Sequence, residues 1–123
     1  MYRTLISSGA LAVCLTASGT SVMAVQTDAR PLGSVLTIHI KNFKFDPTPV
    51  KVHAGDRVAF VNDDDEAHTA TAVDKSFDSE GLDTGGTWQH VFTKPGTYNY
   101  FCELHPYMKA AIVVLPAASS AHQ

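Results

Sequence analysis

The stretch CELHPYM, residues 102–108, sets a thiol, an imidazole and a thioether at three-residue steps: Cys102, His105 and Met108. Thiolate and thioether donors favour copper, whereas imidazole suits copper, zinc and iron alike. The three residues therefore make a partial metal site. A trigonal copper centre of this kind needs a second imidazole and accepts a weak axial thioether. Among the other histidines, His39, His53 and His90 lie within strand-like runs without ligand-like context and read as surface residues, and His122 is in the C-terminal tail. His68 differs. It follows a turn-rich loop and opens a strand-like run, so its ring can point along the end of a sandwich, where the loop after residue 101 also lies. A lone Met or a lone Cys is ordinarily core. Ligand spacing, with a histidine upstream, reverses that reading.

The thiol also has to be accounted for by compartment. Residues 1–24, MYRTLISSGALAVCLTASGTSVMA, combine Arg3, a mostly apolar run and small residues before Ala24, the pattern of a cleaved secretory signal. The run is short and interrupted for a membrane span. Cys14 sits in a sequence with some look of a lipidation site, although Val13 fits poorly there. If Cys14 leaves with the signal, Cys102 is the only thiol, and no internal disulfide can form. A single thiol in an oxidising compartment is a liability unless something occupies it.

The chain of 123 residues, 45% of them apolar, has room for one domain and an ordinary small core. Its net charge is −3, and loss of Arg3 makes the exported form more acidic. There is no basic cluster, which argues against a nucleic-acid partner. The acidic run Asp63-Asp64-Asp65-Glu66 reads first as a solvated loop and second as a patch that steers a basic partner.

Positioning the site falls to a series of short β-runs: 35–41, 43–45, 50–53, 57–62, 68–73, 87–92, 97–102 and 109–115, separated by turn signals such as Ala54-Gly55-Asp56 and Lys94-Pro95-Gly96. Residues 74–86, rich in Asp, Ser and Gly, read as a long loop. The expected fold is all-β, a β-sandwich of seven or eight antiparallel strands. The domain is placed at 35–115, after a flexible N-terminus at 25–34 and before a disordered tail at 116–123.

Three segments carry a family resemblance: VKVHAGDRVAFVNDDDEAHTAT, FTKPGTYNYFCELHPYM and a closing strand. Together they resemble the cupredoxins, small exported blue-copper proteins, over roughly residues 35–115. Within that family the Cys-x-x-His-x-x-Met loop looks most like that of the amicyanins, then the plastocyanins. The resemblance implies a Greek-key sandwich and one type 1 copper ion, held by His68, Cys102 and His105 in a plane with Met108 on the axis. It implies that Thr69 ties the two ligand loops together, with its N–H on the Cys102 sulfur and its hydroxyl bridging. It also implies a periplasmic, monomeric electron carrier, with a dehydrogenase as donor, a cytochrome as acceptor and His105 as the electron port. Glu103-Leu104 departs from the Thr-Pro common in amicyanin loops, and the segment between His68 and Cys102 is short.

Other functions make different demands. A copper-delivery protein could use the same ligands, but no Met-rich or His-rich tract is present. A Cys102–His105 nucleophile pair lacks a visible oxyanion hole or further acid–base group, so an enzyme is not expected. A structural zinc site could use the Cys and His residues but gains little from Met108.

Overall fold

The computed structural model describes residues 34–118. The segments read as signal peptide and flexible N-terminus, apart from Ser34, lie outside the described residues, as does the tail beyond Ala118. Eight strands follow in order: β1 (Val35–Lys41), β2 (Lys44–Asp46), β3 (Val50–His53), β4 (Arg57–Asn62), β5 (Thr71–Ala72), β6 (Thr87–Val91), β7 (Gly96–Phe101) and β8 (Lys109–Leu115). They form two four-stranded sheets, ordered β2-β1-β4-β6 and β3-β8-β7-β5.

Alternation along the strands creates the core. Ile38 and Ile40 of β1, Val58 and Phe60 of β4, Val50 and Val52 of β3, and Ile112 and Val114 of β8 are all buried. Each pair is two residues apart, the spacing that puts side chains on one face of a strand. Aromatic rings fill the space between. Tyr100 packs edge-on against Phe45 and Phe60, with centroids 4.7 and 5.6 Å away. Phe77, from the segment 74–86 read as a long loop, packs against Phe92 and Tyr100 at 5.4 and 5.9 Å.

Three expectations need correction. The pairing is mixed: β1 runs parallel to β4, and β3 parallel to β8. Neither pair is joined by a hairpin, so neither is constrained to be antiparallel. The run 68–73 contributes only Thr71–Ala72 as strand; His68 instead makes an isolated bridge to Leu82. Phe43 is not in a strand. With Asn42 it forms the two-residue turn between β1 and β2, both residues having positive φ, 52° and 57°. A turn of that hand matches the twist of the flanking strands.

Candidate metal centre

Cys102 lies immediately beyond β7, whose pairing with β8 runs to Phe101↔Lys109. The loop between them closes on its own backbone. The amide of Cys102 donates to the carbonyl of Met108 (3.1 Å), that of His105 to Cys102 (3.2 Å) and that of Met108 to His105 (2.8 Å). Pro106 has no amide hydrogen to place, so it fits a loop whose bonds fall at Cys102, His105 and Met108. Cys102 and Met108 are buried, while His105 is partly exposed between exposed Leu104 and Tyr107.

His68 comes to the same place from the other side. Its backbone exchanges two hydrogen bonds with Leu82, at 3.1 and 2.7 Å. The turn before it is organised by Asn62, the fully buried last residue of β4. The Asn62 amide nitrogen donates to the carbonyls of Glu66 and Leu82, both at 2.8 Å, and its Oδ1 accepts from the amide of Asp64 at 3.0 Å. The side chain thus gives partners to backbone groups of the turn that follows β4 and ties that turn to Leu82.

The result is a convergence. Cys102 Sγ lies 3.7 Å from Nδ1 of His68 and 3.7 Å from Nδ1 of His105. The three donor atoms all fall within 4.8 Å of one another. Metal–nitrogen and metal–sulfur bonds are about 2.0–2.3 Å, and an ion between these atoms at such distances would separate them by about what is seen. The donor set, one thiolate and two imidazoles with a buried thioether at the end of the same loop, fits copper.

Two further layers hold these side chains. Thr69 donates its backbone N–H to Cys102 Sγ (3.3 Å), and its Oγ1 accepts from the amide of Glu103 (2.9 Å). One residue therefore joins the two loops, in the way expected for Thr69. The second layer was not anticipated. Asp64 Oδ2 lies 2.8 Å from His68 Nε2. Its carboxylate also accepts from the turn amides of Asn42 (2.6 Å) and Phe43 (2.9 Å). Burial acts to raise the Asp64 carboxyl, but the amides of Phe43 and Asn42 and the His68 ring outweigh it and hold the group below the usual carboxylate range. An ionised carboxylate can only accept, so this contact favours a proton on His68 Nε2, the nitrogen away from Cys102.

Asp64 is the exception in the reading of 63–66 as a solvated loop: its side chain is 11% exposed, whereas Asp63, Asp65 and Glu66 are exposed. Its neighbour Asp63 pairs with exposed His39 at 2.6 Å. His53 sits beside Asp56, away from the site. His90 is not a simple surface residue. It stacks on Trp88 (5.4 Å, 16°) and meets Phe92 edge-on, and burial lowers its pKa. His122 lies outside the described residues.

Phe43, placed by the strained turn, meets both candidate ligand rings edge-on, 5.3 Å from His68 and 5.0 Å from His105. Sequence reasoning missed Asp64, Asn62 and Phe43 as members of the site. The available signals were an Asn closing one strand and a second Asn, Asn42, between two β-runs.

Comparison with known proteins agrees with this geometry. A cupredoxin-like domain profile matches residues 8–114. Amicyanin-alpha of Methylorubrum extorquens is 33% identical over 89 residues, 68% of this chain and 74% of the relative. A Cu(I) form of amicyanin superposes with a TM-score of 0.61 at 26% identity, covering 66% of this chain and 82% of the other. A Cu-containing nitrite reductase from Thermus scotoductus gives 0.62 at 33% identity; the match covers 67% of this chain but only 22% of that much longer one. With a buried thiol between two imidazoles at one end of an all-β sandwich, and a family profile spanning most of its length, this chain belongs to the cupredoxin-like family, whose cofactor is copper.

Proposed function

We propose that the protein is a type 1 copper electron carrier, in which His68, Cys102, His105 and Met108 would hold the copper. Bound copper supplies one-electron chemistry between Cu(II) and Cu(I). The observation that carries the proposal is the 3.7 Å approach of both Nδ1 atoms to a buried thiol that also accepts the Thr69 amide.

Fast transfer requires ligands that barely move between redox states. His68 is held by Leu82 on its backbone and Asp64 on its ring. Cys102 is held by β7 on one side and the carbonyl of Met108 on the other. His105 reaches the surface, and an apolar rim surrounds it: Phe43, Leu104 and Tyr107 are 38%, 57% and 68% exposed. Such patches mark contact surfaces, and small transient encounters are typical of redox partners. The proposed partners are redox proteins, a dehydrogenase donating and a cytochrome accepting. Residues 1–24, read as an export signal, support a periplasmic location, and N-terminal sequencing of the secreted protein tests it.

The test is an optical spectrum and a voltammogram of the copper-loaded protein. A strong thiolate-to-copper band and a reversible one-electron wave are expected. Absence of the band defeats the copper reading. Loss of copper to a mild chelator on reduction favours delivery over transfer.

A further inference from the structure

One carboxylate serves two structures at this site. Oδ1 of Asp64 takes the Asn42 amide; Oδ2 takes both the Phe43 amide and His68 Nε2. The turn it binds is otherwise unfavourable. Phe43 is a bulky residue in the left-handed region, where a side chain costs about 1–2 kcal/mol. Two charge-assisted amide bonds offset that cost. They also fix the ring that stands edge-on to both histidines.

We propose that Asp64 is a positioning and tuning residue for the metal centre: it fixes the tautomer and donor strength of His68, and through the β1–β2 turn it holds Phe43 over the two imidazoles. The tuning half rests on the copper reading above. An anionic acceptor on the far nitrogen makes an imidazole a stronger donor. The gain is larger for Cu(II) than for Cu(I), because the more highly charged ion draws more on the donor. Asp64 therefore favours the oxidised state and lowers the potential.

Three measurements test this. In the metal-free wild type, nitrogen-15 NMR should show His68 protonated at Nε2 alone; protonation at Nδ1 overturns the proposal without any variant. With copper bound, Asp64→Asn should keep the thiolate band while the preference for Cu(II) over Cu(I) falls about tenfold, a rise of about 59 mV for one electron. Asp65→Asn, which removes an equal charge from the exposed neighbouring residue, should change that preference less than twofold. Equal shifts in the two variants would show a general charge effect and overturn the tuning role. Metal-free Asp64→Ala should lose the NMR contacts between the Phe43 ring and His68; their persistence would overturn the claim on the turn. Should the wild type never develop a thiolate band, the copper reading fails while the tautomer and Phe43 measurements still decide the positioning role.

Discussion

The two halves of the site are held by different physics. His105 lies in a seven-residue loop closed by three backbone-to-backbone hydrogen bonds. His68 is held by side chains as well as backbone: Asn62 shapes its turn, Leu82 exchanges two backbone hydrogen bonds with it and Asp64 grips its ring. The first half is local and partly exposed; the second also draws on Leu82 and the β1–β2 turn, and is buried. A local loop can present a ligand to a partner, and a buried network can keep the opposite ligand still. Thr69 is the joint, bonded to the Cys102 sulfur and to the amide of Glu103.

The largest effect should come from the atom the two halves share. Cys102→Ser should abolish the thiolate-to-copper band altogether, because the band requires the sulfur. His39→Ala and His53→Ala should leave it intact. Optical spectra of the copper-loaded variants decide this.

The buried half should be the more costly to disturb. Asn62→Leu leaves the carbonyl of Glu66 and the amide of Asp64 without their partner and the Leu82 carbonyl with the His68 amide alone, and a lost partner at a buried polar group costs about 1–3 kcal/mol. A destabilisation of about 3 kcal/mol by denaturant titration of the metal-free protein is expected. A loss under 1 kcal/mol would mean that the turn before His68 is held by something other than Asn62.

That contrast also explains what could be read from the sequence. Cys102, His105 and Met108 are near neighbours in a loop closed by its own backbone hydrogen bonds, so their spacing was enough to single them out as candidates. The core strands were legible because period-two alternation is local. The partners of His68 were not. Asp64 sits among three other acids, and only the β1–β2 turn folding over it distinguishes it from them. Phe43 looked like a strand residue because FKF is a β-rich run, and its left-handed φ is visible only once the hairpin closes. Parallel pairing of β1 with β4 was invisible for a related reason: its partners are far apart in sequence and no turn signal announces them.

The joint between the halves should show an intermediate effect. Thr69→Val keeps the amide on the Cys102 sulfur but removes the acceptor for Glu103. A destabilisation of about 1–2 kcal/mol is expected, with Thr69→Ser restoring most of it. If Val were neutral, the loops would be joined by the sulfur contact alone.

The smallest effect concerns Glu103-Leu104, where this chain departs from the proline-containing loop it resembles. A proline here would reduce the freedom of the unfolded chain, which stabilises by about 0.4–1 kcal/mol where the folded backbone allows it. The two positions should differ. The Glu103 amide is committed to Thr69 Oγ1 at 2.9 Å, so Glu103→Pro removes a bond that joins the halves. The amide of Leu104 bonds to no protein group among the described residues, and its side chain is 57% exposed. Leu104→Pro should therefore change stability by no more than about 1 kcal/mol, and Glu103→Pro should be the more destabilising of the two. Paired denaturation midpoints are enough to decide it. If Leu104→Pro proved as harmful as Glu103→Pro, the rigidity of the exposed half would depend on the backbone path at Leu104 itself, and Thr69 would not be its main constraint.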